Sequence, residues 1–256
     1  MEANEGMQMT EREKAEKVFH DKIFSQHSHG PSHYSLNPTF HIFLKMMELL
    51  GDIKGKKILE CGCGNGWVTA ELAYAGGSVH AFDISSEAVK STKDFLARKN
   101  LGKDCLIEVK SAESIDYQDN TYDIVLGFAI LHHLDLDKTI PEIHRVLKPS
   151  GIAIFAEPLE GNPFLRLYRK LTPQYRTPDE KPLVVREFAS HLQEYASFTH
   201  HEFYLTALFP LFVSNFKLFR SASKLLKSCI KFDEYLFRNF PFLKKWAWYS
   251  ILVIKK

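Results

Sequence analysis

Residues Ile58–Trp67 read ILECGCGNGW: three glycines on alternate positions, an acid before them and an indole closing the run. A short apolar segment, KKILEC (56–61), leads in, and GWVTAELAYAGG (66–77) leads out to two further glycines. A strand passing through a glycine turn into a helix opens a βαβ unit. A dinucleotide-binding loop of this type carries its third glycine three positions after the second, so that helix and strand pack closely. That position here is Trp67, and an indole blocks such packing. Glu60 at the strand end would also repel a pyrophosphate. The loop therefore suits a ligand with positive centres and no phosphate. Cys61 and Cys63 are two apart, with no second thiol or histidine pair at zinc spacing, so no metal site is expected from them.

Outward from the loop, strands and helices alternate. SVHAFDI (78–84) is a second strand and SSEAVKSTKDFLARKN (85–100) a helix capped by Ser85 or Ser86. CLIEV (105–109) and YDIVLGFA (122–129) are strands, and LDKTIPEIHRVLKPSG (136–151) is a helix stopped by Pro149 and Gly151. IAIFAEP (152–158) is a fifth strand. Such alternation predicts an α/β fold, a parallel sheet with helices on both faces. Ligands of these sheets bind at the carboxyl ends of the strands. Glu60, Asp83, Ser111, Phe128 and Glu157 all fall there.

The flanks differ. Thr10–Gln26 reads as a polar amphipathic helix, broken by SHGPSHYSLNP (28–38); Asn37, Pro38 and Gly51 bracket a second helix. Residues 159–182, rich in proline and arginine, read as a long functional connection. FASHLQEY (188–195) fits a helix, FTHHEFYL (198–205) a sixth strand and WAWYSILVI (246–254) a last one. The residues between those two strands far exceed a hairpin.

Apolar residues make up 45% and charged residues 25% of the 256, which is ordinary for one soluble core with an elaboration. The polar, charged N-terminus does not read as a secretory signal, and no apolar run reaches about 18 residues. Four irregularly spaced cysteines give no disulfide framework, so reduced thiols in a cytoplasm are expected. The net charge of +2 hides an asymmetry: from Ser214 to Lys256 ten Lys and Arg face two acids, and ten aromatic residues fall there too.

S-adenosylmethionine, an amino acid head with a sulfonium, a ribose and an adenine, meets the demands of the loop. ECGCGNG resembles motif I of the class I S-adenosylmethionine-dependent methyltransferases, acid-x-Gly-x-Gly-x-Gly after the first strand. The likeness extends over about residues 56–158, through FDISSEAV (82–89), KSAES (110–114), YDIVLGFAILHHL (122–134) and EIHRVLKPSGIAIFAEP (142–158). It implies a Rossmann-like sheet of seven strands, mostly parallel with the last antiparallel. It also implies an N-terminal helical lid (1–53), a core (54–205), a basic, aromatic helical insertion (206–245) and a last core strand (246–256).

The resemblance assigns residues to the cofactor. Gly62, Gly64 and Gly66, with Cys63 where the family often has cysteine, approach the methionine part, and Glu60 attracts the cation. Asp83 meets the ribose hydroxyls and Ile84 covers the adenine. Ser111 stands where the family usually has Asp, leaving Ala112 and Glu113 as further adenine contacts. Phe128 and Tyr34 complete the set.

Methyl transfer needs an oriented acceptor and, for a hydroxyl or carbon acceptor, a base. His132 or His133 is the expected base, with Glu157 as base or amine anchor. His33 in the lid, and Arg166 and Arg169 in the long connection, are expected at the acceptor. GFAILHHL lacks the Asn/Asp-Pro-Pro-Tyr/Phe motif of many nucleic-acid methyltransferases, so a small molecule or lipid is expected rather than nucleic acid. The interleaved aromatic and basic residues of 206–248 fit either an active-site cap or a peripheral surface for the anionic inner face of a membrane. An RNA methyltransferase and a non-catalytic S-adenosylmethionine-binding protein are the alternatives.

Overall fold

The computed structural model describes residues 9–26, 38–177, 179–210 and 222–256. Seven strands form one sheet in the order β3-β2-β1-β4-β5-β7-β6. They are β1 (Lys57–Cys61), β2 (Ser78–Asp83), β3 (Leu106–Val109), β4 (Tyr122–Phe128), β5 (Leu147–Pro158), β6 (Ser197–Phe203) and β7 (Tyr249–Lys255). Only β7 runs against the rest, pairing antiparallel with β5 on one side and β6 on the other. This is the Rossmann-like sheet the motif order implied.

Helices accompany it: α1 (Glu11–Gln26), α2 (Pro38–Leu50), α3 (Trp67–Tyr74), α4 (Ser86–Arg98), α5 (Leu136–Val146), α6 (Pro163–Leu171), α7 (Val185–Ala189) and α8 (Ala222–Asn239). Strand side chains alternate between faces. Ile58 joins a core with Ile42 and Met46 of α2, Leu72 of α3 and Leu96 of α4. Leu59 and Cys61 point the other way, towards Ile140 and Ile143 of α5, Phe188 and Phe237. Both faces of the sheet are thus covered, as a parallel sheet requires.

Local chemistry sets the helix starts. The Ser85 side chain accepts from Ala88 N to cap α4, and Asp135 accepts from Asp137 N to cap α5. Trp67 opens α3 and packs on Phe43 and Phe128, ring centroids 5.1 and 5.7 Å away, tying α2 to the sheet. The close helix approach falls to Gly66 instead: its φ is 81°, and a Cβ there would sit 2.9 Å from Thr92 Cα in α4.

Three elements differ from the sequence reading. α5 ends at Val146, and Pro149 and Gly151 lie inside β5, where the pairing with β4 shifts between Tyr122 and Ile124. Two positions along β4 face five along β5 there, so Pro149 has no partner to satisfy in β4. The connection 159–182 contains α6, capped by Asn162 with Pro163 at its first position. α7 covers only Val185–Ala189; the chain then turns, and Tyr195 Oη donates to Ile140 O. Between β6 and β7 the described part holds α8 and a 3₁₀ segment, Pro241–Trp246. Residues 211–221 of the expected insertion lie outside the described residues.

Candidate active site

The carboxyl ends of β1, β2 and β4 and one side of α1 enclose a cavity of about 150 Å³. Gly62, Gly64, Asp83, Ile84, Ser111, Ala112 and Phe128 line it, so seven of the expected cofactor contacts share one wall. Gly62 has a φ of 77°, and its N–H, like that of Cys63, donates to Phe82 O, folding the loop back over β2. Asp83 accepts from Gly64 N at 3.0 Å and from Ser85 N at 2.9 Å. Burial nevertheless raises its carboxyl above the ordinary aspartate range.

Glu60 lies behind this wall and does not line the cavity. It is buried in the sheet, accepts from Thr69 Oγ1 of α3 at 2.6 Å, and burial pushes its carboxyl up to about 8. It fastens β1 to α3. Cys63 is likewise buried, and desolvation raises its thiol. Gly66 faces Thr92.

α1 supplies the opposite wall through Arg12, Glu13, Glu16, His20 and Phe24, none of which the sequence reading placed at the site. Glu13 accepts from Ser111 Oγ at 2.5 Å. The carboxylate absent at position 111 is thus present at the same place, donated by another element. Burial works to raise Glu13, but hydrogen bonds from Ser111 and Thr10 outweigh it and hold the group below its usual range. Asp21 accepts from Ser85 Oγ and Glu87 N, seating α1 on the positive N-terminus of α4. Arg12 pairs with Glu113 and donates to His133 O. Glu113 also accepts from Asp135 N at 2.9 Å and does not line the cavity.

After β4 a 3₁₀ turn, Leu131–His133, carries the histidine pair. Glu157, fully buried at the end of β5, accepts from Ile130 N and Leu131 N and lies 2.7 Å from His132 Nδ1. All its oxygens serve that turn, which makes it a positioning group. A second cavity of about 410 Å³ lies on the far side of the turn, lined by His132, Leu136, Leu183, Phe188 and others. The two cavities share Arg12, His133 and Leu134.

Glu16 meets this junction. Its Oε2 lies 3.2 Å from His133 Nδ1 and 3.4 Å from His20 Nε2, and its Oε1 accepts from Thr177 at 2.5 Å. Burial favours a raised carboxyl, but the two rings and the hydroxyl overcome it and hold Glu16 well below the ordinary range. Burial also lowers His133.

Arg166 is exposed on α6, and Arg169 donates to Leu159 O; neither lines either cavity. His33 and Tyr34 lie outside the described residues.

These residues suit S-adenosylmethionine in kind: small residues at the loop, a buried acid for hydroxyls, and a carboxylate with a hydroxyl at the adenine position. The volume is below the roughly 300–1,000 Å³ of ligand pockets. Side chains of α1 form one wall of the cavity.

Comparison with known proteins agrees. Residues 59–155 match the methyltransferase domain family. The demethylmenaquinone methyltransferase of Lactobacillus johnsonii is 30% identical over 142 residues, 52% of this chain and 57% of that protein. Its counterpart in Lactococcus lactis is 26% identical over 196 residues, 75% of this chain and 76% of that one. A phosphoethanolamine N-methyltransferase of Haemonchus contortus, solved with phosphomonomethylethanolamine and S-adenosylhomocysteine, superposes with a TM-score of 0.61 at 17% identity, covering 85% of this chain and 52% of that one.

Proposed function

We propose, for a chain that belongs to the class I S-adenosylmethionine-dependent methyltransferases, that its acceptor is a small lipophilic molecule carrying a polar group at the reacting end. The carrying observation is the pair of joined cavities. One is lined by the cofactor loop; the other has the volume of a small-molecule site, with Leu131, Leu136, Leu183, Val184 and Phe188 offering apolar contact among polar side chains such as Asp135, Asp179, Lys181 and His191 that suit the acceptor's polar group. The demethylmenaquinone methyltransferases among the relatives support a ring of quinone type.

The cofactor supplies a methyl group already activated by its sulfonium. The chain's part is to bind, orient and exclude water. Asp83 and the Ser111–Glu13 pair bind ribose and adenine. Glu157 fixes the turn that carries the histidines. With Nδ1 of His132 turned to Glu157, its Nε2 is the atom left to take a proton from the acceptor. Incubation of a lipid extract and an aqueous extract with protein and methyl-labelled S-adenosylmethionine tests this. Label should enter an organic-soluble product; label confined to RNA, or to the aqueous fraction, would reject the acceptor class.

We also propose that the lipophilic acceptor is met at an anionic membrane surface. Phe232, Tyr235, Phe240, Phe242 and Trp246 are exposed among Lys227, Lys231, Arg238, Lys244 and Lys245. α6 adds exposed Phe164, Leu167 and Leu171, and Asn162 Nδ2 donates to Trp246 O, which holds the two regions side by side. Mixed aromatic and basic residues of this kind favour the headgroup region. Co-sedimentation with anionic but not neutral liposomes is the expected result; no binding at low salt removes the membrane from the reading.

A further inference from the structure

We infer that Glu16, His20 and His133 form a three-ligand site for a divalent cation of zinc type, its open position facing the cavity at the cofactor loop. Two imidazoles and one carboxylate are a donor set that binds zinc while leaving a fourth position for a small ligand. With zinc–ligand distances of about 2.0–2.2 Å, ligand atoms on a tetrahedron stand roughly 3.3–3.5 Å apart. Glu16 Oε2 stands 3.2 Å from His133 Nδ1 and 3.4 Å from His20 Nε2, and the three atoms lie within 4.8 Å of one another.

At 3.2 Å Glu16 Oε2 and His133 Nδ1 make a close polar contact without the alignment of a hydrogen bond. Glu16 Oε2 and His133 Nδ1 are both buried and without a hydrogen-bond partner among the described residues. A buried carboxylate oxygen and ring nitrogen left in that condition are costly. Lone pairs that converge on a common point, rather than on each other, give this geometry, and a cation at that point satisfies both.

The surroundings meet the other demands of a metal site. Glu16 and His20 are four residues apart, on one face of α1. Thr177 occupies Glu16 Oε1, which leaves Oε2 as a single-oxygen ligand. Arg12, the nearest fixed cation on α1, is neutralised by Glu113. All three ligands line the cofactor cavity and His133 lines the second cavity as well, so an acceptor oxygen held there reaches the site past His133. That last role rests on the methyl-transfer reading; the cation site itself does not.

Cobalt(II) chloride, titrated into the full chain after chelator treatment, reads the site by visible absorption and without activity. One saturable set of bands per chain, displaced by zinc, is expected. Glu16→Gln and His20→Ala should each weaken cobalt binding at least tenfold. A combined His27→Ala, His29→Ala and His33→Ala variant should bind as the unaltered chain does. Absence of a saturable band, wild-type affinity in both ligand variants, or loss of binding in the triple variant overturns the site. Should a ligand variant fail to fold, X-ray absorption of cobalt on the unaltered chain decides: two imidazole ligands support it, and all-oxygen or thiolate ligation rejects it. S-adenosylmethionine affinity, measured by calorimetry on metal-free protein, tests the methyltransferase reading separately.

Discussion

Asp83 and Glu60 are both buried acids at strand ends, yet their partners give them different work. Asp83 holds two backbone N–H groups at the cavity wall, so removing it should loosen the loop at the place proposed for the ribose. Asp83→Ala should weaken S-adenosylmethionine binding by about 1–3 kcal/mol in calorimetry, the usual cost of unpaired buried partners; unchanged affinity would refute its place at the ribose. Glu60 instead bears on stability. Its carboxyl stays protonated up to about 8 in the fold, against 4.5 ordinarily. A raised folded value means the contribution is full below the unfolded value and is lost as pH rises through the folded one. Stability should therefore decline between those limits, by at most about 1.4 kcal/mol per pH unit from this group. Glu60→Gln should flatten the decline in urea denaturation; parallel curves for variant and wild type would show the group ionised throughout. The positions of Trp67 and Glu60 were legible in the sequence because a motif fixes their neighbours; the work of Glu60, fastening β1 to α3 away from the cavity, was not. Glu13, Glu16 and His20 were not, because no spacing links α1 to residues about a hundred positions away; the acid expected at 111 simply arrives from another helix.

At the level of elements, Gly66 and Asn162 carry junctions that their own helices do not need. Gly66 lets α3 and α4 approach, and its backbone is left-handed. Gly66→Ala should destabilise by about 1–3 kcal/mol in chemical denaturation, from backbone strain alone. Asn162 is buried, accepts from Phe164 N and Leu165 N, and donates to Trp246 O. Asn162→Ala should cost about 2 kcal/mol, a lost cap plus an orphaned carbonyl; a loss under 0.5 kcal/mol, roughly the level of a surface change, would mean the α6 junction is loose. α6 escaped the sequence reading because prolines and arginines around it signal a loop, although Asn-Pro followed by Phe164, Leu167 and Leu171 at helical spacing was there to be read. The β-strands were legible because a sheet covered on both faces demands continuous apolar runs. The end of α5 was not, since Pro149 and Gly151 stop a helix and mark a register shift in a strand equally well.

Across the whole molecule, the sheet order brings seven of the expected cofactor contacts to one cavity at the carboxyl edge, and a ligand spanning β1, β2 and β4 would tie them together. S-adenosylmethionine at 100 times its dissociation constant should stabilise the fold by about 2.7 kcal/mol in denaturant melts. No shift at saturating cofactor would remove the cofactor assignment. The positively charged, aromatic C-terminal stretch gave its character in the sequence, but its pairing with α6 needed the tertiary structure. Helix α1 touches both cavities through Arg12 and rests on α4 through Asp21. Since one helix borders both chambers, spent cofactor and methylated product are expected to leave in a single exit event. If that opening sets the pace, rapid mixing should reveal a first-turnover burst followed by a slower steady rate; a linear first turnover would place the slow step in the chemistry.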